Sequence, residues 1–293
     1  MTPRRGGALL LVAALTAAAL SACGSSPKET PAIKSVVSAP VKTAQTGDGP
    51  VGYRSVGSGP PLVLIMGYGL TMEAWDPRLV HALAARHRVV MFDNSGVGDT
   101  RQLPVPQSID AMADQTSALI TTLGLGRPDV LGWSEGGTVA QALAVLHPAQ
   151  VNRLVLCATF PGNGEDDARQ AASGQGLRSD FPANQGGAYS AYQAAVGFYP
   201  DVPQVSGLAK GQEIEALTDW WVGNDRAGVE TSRITAPTLV ADGAEDTLDP
   251  QPNDHVLASL ISGSKLMFYP DAGHAFLMQD WASFASEVNS FLG

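Results

Sequence analysis

The sequence predicts an α/β fold in which a mostly parallel, doubly wound sheet carries a helical cap insertion. Six short, continuously apolar runs alternate with segments of helical spacing, and a Gly-x-Ser-x-Gly pentapeptide joins one run to a helix. Continuous rather than alternating apolar character is typical of strands that are buried on both faces, as in a parallel sheet. The alternation of such strands with helices is the pattern of a doubly wound fold.

The apolar runs predict strands over 61–66, 88–92, 129–132, 151–157, 237–241 and 265–269, with 51–56 as an antiparallel strand at the sheet edge. Apolar residues spaced by three or four positions predict helices over 77–85, 109–123 and 281–292. The segment 135–146 is apolar on nearly every side, which predicts a helix buried inside the protein.

The stretch 161–235 interrupts this alternation, because it contains no strong strand-like run. Its first part is rich in Gly, Asp and Gln, whereas 189–199 and 213–222 are helical in pattern and aromatic. Structureless loops of this length are uncommon inside compact domains. We therefore expect 161–235 to be an ordered cap on a core formed by 49–160 and 236–293.

Residues 1–23 have the pattern of an export signal. Arg4 and Arg5 precede an apolar stretch over 8–20, too short to span a membrane, and Leu-Ser-Ala-Cys follows at 20–23. This tetrapeptide resembles the lipobox of bacterial lipoproteins, in which cleavage before the cysteine leaves a lipid-bearing N-terminus; an ordinary secretory signal is the alternative. We expect an exported protein anchored to the cell membrane by lipid on Cys23, with 24–48 as a flexible tether.

The composition excludes several classes of function. The net charge is −10, and Lys and Arg do not cluster outside the N-terminus, which argues against a nucleic-acid partner. Only Cys23 and Cys157 are present, so lipidation of Cys23 would leave no disulfide, and Cys157 is predicted to be a buried small residue. We expect no cofactor and no metal.

The strongest chemical signal is the pentapeptide over 132–136, which follows a strand-like run and precedes a helix. In this context a serine occupies a sharp strand-to-helix turn, and its neighbouring glycines leave room for the close approach of other backbone segments. Ser134 is therefore the predicted nucleophile. A serine hydroxyl needs a base to remove its proton and an acid to orient that base.

His274 is the only histidine that falls in a loop after a late strand, so it is the predicted base. The loop after the run 237–241 contains several carboxylates, of which Asp246 is the predicted orienting acid and Glu245 the next choice. The chain order nucleophile, acid, histidine is the order of one established serine-hydrolase template.

These residues resemble the α/β-hydrolase superfamily, over about 50–293 apart from the cap. The matching motifs are Met66-Gly67-Tyr68-Gly69, the pentapeptide, Gly243-x-x-Asp246-x-x-x-Pro250 and Gly273-His274-x-Phe276. The resemblance implies an oxyanion hole formed by the backbone N–H groups of Tyr68 and Glu135, and it places Met66 where the family usually has histidine. Asp93 and Gly98, in a variant of another family element, are predicted to shape a loop. Gly67 and Trp133 are predicted to line the substrate pocket.

Serine at position 134 favours ester, thioester, amide or C–C bond chemistry. The leading hypothesis is a carboxylesterase or lipase-like hydrolase that acts on a small-molecule ester or acyl substrate. Cofactor-free haloperoxidases (perhydrolases) and C–C bond hydrolases of the superfamily use the same triad and remain alternatives. A non-catalytic envelope binding protein is the alternative of another class.

Overall fold

The computed structural model describes residues 30–162 and 177–293. Within these residues, eight strands form one sheet: β1 (Lys42–Thr46), β2 (Gly49–Val56), β3 (Pro61–Ile65), β4 (Arg88–Phe92), β5 (Asp129–Trp133), β6 (Leu154–Cys157), β7 (Thr238–Gly243) and β8 (Lys265–Tyr269). Their order is β1-β2-β4-β3-β5-β6-β7-β8. The strands β3 to β8 are parallel, and β2 is antiparallel to both of its neighbours. The predicted doubly wound sheet is confirmed.

The helices lie on both faces of this sheet and in the insertion between β6 and β7. They are α1 (Pro31–Val37), α2 (Pro77–Ala84), α3 (Ile109–Thr122), α4 (Glu135–Leu146), α5 (Gly186–Val196), α6 (Gly207–Trp221), α7 (Arg226–Val229), α8 (Gln251–Leu260), α9 (Phe276–Gln279) and α10 (Trp281–Leu292). Among the described residues, no helix is both long enough and apolar enough to cross a membrane.

Two apolar cores, one on each face, explain why the strands are continuously apolar. Along β3, Leu62 and Leu64 belong to the core that contains α1, α2 and α10 side chains. Val63 and Ile65 belong to the opposite core, with side chains of α3 and α4. Successive side chains of a strand point to opposite faces, so every position of such a strand is buried.

The segment predicted to be a flexible tether is partly ordered, which corrects its predicted boundary. Residues 31–37 form α1, with Thr30 as its N-cap and Ile33, Val36 and Val37 buried. Residues 42–46 form β1, the true edge strand, so 51–56 lies one strand inside the edge. The sequence signal was weak because only Ala44 of the five residues of β1 is buried. Cys23 and the export signal lie outside the described residues.

The helices α5, α6 and α7 fall within the predicted cap 161–235, of which residues 163–176 lie outside the described part. On α6, Ala216, Leu217 and Trp220 are buried in the core that also contains side chains of α3 and α4, here called the second core. This helix therefore packs on the sheet domain. Trp220 is fully buried in this packing.

The parallel strands place the predicted chemistry at one edge of the sheet. Ser134 follows β5, Asp246 lies three residues after β7, and His274 lies in the loop after β8. Because parallel strands share a direction, their carboxyl ends meet at the same edge, which is where open α/β sheets bind ligands.

Candidate active site

Ser134 occupies the junction between β5 and α4 in a backbone conformation that is rare for a non-glycine residue, with φ 57° and ψ −123°. The turn requires glycine on both sides. A Cβ atom on Gly132 would lie 2.1 Å from the Gly136 carbonyl oxygen, and one on Gly136 would lie 2.1 Å from the Ile65 carbonyl oxygen. The tightly packed turn therefore holds the serine in a strained conformation, as is common at functional sites.

The three predicted triad side chains form one continuous hydrogen-bonded chain. His274 Nε2 lies 2.8 Å from Ser134 Oγ, and His274 Nδ1 lies 2.7 Å from Asp246 Oδ2. The other oxygen of Asp246 accepts hydrogen bonds from the backbone N–H groups of Leu248 and Asp249 at 2.7 and 3.0 Å. Glu245, the alternative acid, is solvent-exposed.

The charges around His274 favour its protonated form. Burial of the ring lowers its pKa, but the carboxylates of Asp246, Asp180 and Asp249 outweigh this effect and raise the pKa to about 9. Asp246 has the largest of these effects, through its charge and its hydrogen bond. This environment stabilises the imidazolium that forms when the histidine takes a proton from serine.

Trp133 does not line an open pocket, contrary to the sequence-based expectation. Its side chain is 1% exposed, and its indole N–H donates a hydrogen bond of 2.9 Å to the carbonyl oxygen of His274. The residue was expected at the pocket because it precedes the nucleophile. Side chains alternate in direction along a strand, however, and this one points into the core beneath the histidine loop.

The turn that contains Gly67 and Tyr68 lies against the nucleophile. A Cβ atom on Gly67 would be 3.1 Å from the Cβ atom of Ser134, so any larger residue would crowd the serine. Glu135 is the first residue of α4, and the first N–H groups of a helix have no acceptor within the helix. Tyr68 thus directly follows a residue that packs against Ser134, and Glu135 directly follows Ser134 at the start of α4.

The buried side chain of Asp93 stabilises the end of this turn through hydrogen bonds. The two oxygens of Asp93 accept hydrogen bonds from the backbone N–H groups of Met72 and Asp99, each at 2.7 Å. Burial raises the pKa of Asp93 to about 7, although these two hydrogen bonds act in the opposite direction. The loop-shaping contacts expected of Asp93 are present, and Met66 is buried in the core.

Sequence reasoning missed two carboxylates contributed by the insertion. Glu213 of α6 accepts a hydrogen bond of 2.9 Å from the backbone N–H of Gly69. Asp180 is close enough to His274 for its charge to raise the histidine pKa. Neither residue belongs to a motif, and each reaches the site from a segment whose pattern did not reveal how it folds onto the sheet.

Three buried carboxyl groups, Asp242, Asp249 and Asp254, lie close together in the described part of the chain, with oxygens within 4.8 Å of one another. This is the arrangement closest to a metal site there. Burial and the neighbouring acids raise the pKa of Asp254 to about 9 and that of Asp242 well above its usual range. The raised pKa values favour the protonated forms of these two groups, whereas metal ligands must be ionised, so a bound cation would have to displace their protons.

An open cleft of about 850 Å³ borders His274 and Asp246. It is lined by the loop 244–247 and by residues of the insertion that include Arg178, Phe181 and Pro182. The insertion therefore contributes part of the surface that a substrate would meet near the histidine.

Comparison with known proteins supports the assignment of the fold. The alpha/beta hydrolase fold family matches residues 60–280. The chain is 31% identical over 239 residues to BpoC of Mycobacterium tuberculosis, a protein named as a candidate non-heme bromoperoxidase, covering 76% of this chain and 89% of that one. It is 29% identical over 255 residues to 2-hydroxymuconate semialdehyde hydrolase of Pseudomonas sp. strain CF600, covering 80% and 88%. An alpha/beta hydrolase fold protein from Chitinophaga pinensis is similar in structure, with a TM-score of 0.74, 23% identity and coverage of 87% and 98%.

Proposed function

Because the chain belongs to the alpha/beta hydrolase fold family, we propose that it is a serine hydrolase that cleaves a carboxylic ester or a related acyl bond. The observation that carries this proposal is the hydrogen-bonded chain from Ser134 through His274 to Asp246, with distances of 2.8 and 2.7 Å. This geometry lets the histidine accept the serine proton while the aspartate holds the ring in one orientation.

The proposed reaction has two halves. Ser134 Oγ attacks the carbonyl carbon of the substrate while its proton moves to His274 Nε2, and the carbonyl oxygen becomes an oxyanion that the Tyr68 and Glu135 N–H groups stabilise. The intermediate then expels the alcohol, which takes the proton from His274 and leaves an acyl group on the serine. A water molecule then attacks the acyl carbon while His274 Nε2 takes its proton. The bond between the acyl carbon and Ser134 Oγ breaks, Oγ regains the proton from His274, and the acid leaves.

Fluorophosphonate labelling of the full chain, together with hydrolysis of p-nitrophenyl esters of graded acyl length, tests this proposal. We expect Ser134→Ala to lose both labelling and turnover. The control is Ser259→Ala, which alters an exposed serine hydroxyl on α8. Labelling of Ser134→Ala at the level of the unchanged protein would refute the assignment of the nucleophile.

Two relatives support alternative chemistries at the same triad. One is named as a candidate non-heme bromoperoxidase, and the other as 2-hydroxymuconate semialdehyde hydrolase. Turnover of acetate esters with and without hydrogen peroxide, and of a vinylogous diketone, separates ester hydrolysis from perhydrolysis and C–C cleavage. A higher specificity constant for the diketone than for the esters would contradict the ester proposal and favour C–C cleavage. Halogenation that requires peroxide would contradict it in favour of perhydrolysis.

We also propose that the protein is exported and held at the cell membrane by lipid on Cys23. The order of charged, apolar and Leu-Ser-Ala-Cys segments over 1–23 supports this proposal. Metabolic labelling with an alkynyl fatty acid tests it: Cys23→Ser should lose the label and leave the membrane fraction, whereas Cys157→Ser should keep both. Equal labelling of the two variants would rule out the anchor at Cys23.

A further inference from the structure

One buried hydrogen bond joins the insertion to the turn that contains Tyr68, a predicted oxyanion donor. Glu213 on α6 is 1% exposed, and its Oε2 accepts the backbone N–H of Gly69 at 2.9 Å. The approach of the two elements is close: a Cβ atom on Gly69 would lie 3.3 Å from Cε of Lys210, also on α6. Gly69 has φ +67°, a conformation that favours glycine. The helix α6 therefore lies directly on this turn.

This hydrogen bond bears on catalysis because it fixes the peptide group next to Tyr68. The N–H of Gly69 belongs to the peptide group that follows the Cα atom of Tyr68. Fixing the plane of that peptide restricts the backbone of Tyr68, whose own N–H is the proposed oxyanion donor. Oxyanion donors are effective only when they are held in place before the charge develops.

A second buried carboxyl group, that of Glu135, interacts electrostatically with Glu213. Glu135 is fully buried, and neither of its oxygens has a hydrogen-bond partner within the described residues. Burial, followed by the charge of Glu213, raises the pKa of Glu135 well above its usual range, which favours its neutral form. Burial also raises the pKa of Glu213 to about 7, whereas the Gly69 N–H and the Lys210 ammonium act in the opposite direction.

Among the described residues, three groups interact electrostatically with Glu213. They are Glu135 at the start of α4, Tyr68 on the turn, and Lys210 one helical turn before Glu213. When Glu213 is ionised, the Gly69 N–H donates to a charged carboxylate. A charged acceptor makes a stronger hydrogen bond than a neutral one.

We propose that Glu213 is a positioning residue of the oxyanion hole, which fixes the Tyr68–Gly69 peptide from the insertion and so makes catalysis depend on the docking of α6. This inference rests on the proposed function. It assigns a role in catalysis to a helix that contributes no member of the triad.

Apolar packing should keep α6 in place when Glu213 is changed. Ala216, Leu217 and Trp220 of this helix are buried in the second core, and the Trp220 indole N–H donates to the Phe160 carbonyl at 3.3 Å. A loss of rate in a Glu213 variant therefore reports the local hydrogen bond rather than the loss of the helix.

Three substitutions separate the acceptor, its charge and its reach. Glu213→Ala removes the acceptor, Glu213→Asp keeps the charge but shortens the side chain, and Glu213→Gln keeps an acceptor oxygen without the charge. Removing an oxyanion donor outright costs roughly 10²- to 10³-fold in kcat, so we expect the indirect loss in Glu213→Ala and Glu213→Asp to be about tenfold. Glu213→Gln should stay within about threefold of the unchanged protein, and KM should change little throughout.

A readout of oxyanion binding distinguishes positioning from a structural role. A trifluoromethyl ketone forms a tetrahedral oxyanion on the serine, so its Ki should rise in the same order as kcat falls. The control is Glu215→Ala, an exposed carboxylate on the same helix. An unchanged kcat in Glu213→Ala, or a lower melting temperature with an unchanged Ki, would overturn the proposal. Absence of ester turnover and of fluorophosphonate labelling in the unchanged protein would instead overturn the proposed function itself.

Discussion

The indole N–H of Trp133 donates a hydrogen bond of 2.9 Å to the carbonyl oxygen of His274, 141 residues away in the sequence. The two rings also lie against each other, with their centres 5.7 Å apart. Trp133 directly precedes the nucleophile, so one element of chain holds both Ser134 and the loop of its histidine partner. The distance between the Ser134 and His274 side chains is therefore fixed by the hydrogen bond from Trp133 as well as by their own hydrogen bond.

Trp133→Phe should lower kcat/KM by about tenfold, because it removes the donor to His274 while it keeps an aromatic ring in the core. The buried carbonyl that loses its partner should also cost about 1–3 kcal/mol of stability. Ester hydrolysis and thermal unfolding measure the two effects. The control is Trp221→Phe, at a partly exposed tryptophan of α6. Full activity in Trp133→Phe would mean that the triad alone fixes the histidine.

Asp180→Asn should move the acidic limb of the pH profile of kcat/KM to lower pH. His274 must be neutral to act as a base, and the surrounding carboxylates raise its pKa to about 9, so activity should rise with pH across the neutral and mildly alkaline range. Removing the negative charge of Asp180 makes the imidazolium less favourable, which lowers that pKa. Glu245→Gln, which removes an exposed carboxylate beside the triad acid, should leave the limb in place. The same limb in Asp180→Asn and the unchanged protein would contradict this account.

The sheet was predictable because burial on both faces leaves a strong local signal. In β3 the residues alternate between two cores, and the result is the run Leu62-Val63-Leu64-Ile65 with no polar interruption. Ser134 and the neighbouring Gly132 and Gly136 were equally predictable, because the close packing of this turn restricts which residue types fit there. The edge strand β1 was not predictable, because one buried alanine among five residues makes no pattern.

Contacts between the insertion and the sheet domain could not be predicted from the sequence. Glu213 meets Gly69 across 144 residues, and nothing in the residues around either one indicates the pairing. The orientation of Trp133 was also hidden, because adjacency to a nucleophile does not say which way a side chain points. Long-range polar contacts depend on how packed elements meet, whereas strands and turns depend on local burial and sterics.

Gly136→Ala should abolish activity and destabilise the protein, whereas Gly211→Ala should do neither. A Cβ atom on Gly136 would lie 2.1 Å from the Ile65 carbonyl oxygen, so the turn that carries Ser134 must shift. A Cβ atom on Gly211, in the interior of α6, meets nothing within 4 Å. Alanine is favoured over glycine inside a helix by about 1 kcal/mol, so Gly211→Ala should raise the melting temperature. Fluorophosphonate labelling and thermal unfolding of both variants check the contrast, and an active Gly136→Ala would contradict it.

Asp254→Asn should reduce the loss of stability that the protein suffers as the pH rises. The folded-state pKa of Asp254 is raised from 3.8 to about 9, mainly by burial and then by the charge of Asp249. Below pH 4 the group is protonated in both the folded and the unfolded chain. Between these values the unfolded chain releases the proton and the folded chain keeps it, so folding loses up to about 1.4 kcal/mol per pH unit from this group.

Asparagine has a similar shape and does not titrate, so the variant lacks this contribution. Urea unfolding at pH 5, 7 and 9 should show the stability of Asp254→Asn increasing relative to that of the unchanged protein at each step. The matched control is Asp201→Asn, at a solvent-exposed position of the insertion, which should track the unchanged protein at all three values. Parallel stability curves for Asp254→Asn and the unchanged protein would mean that the buried carboxyl group is already ionised in the folded state.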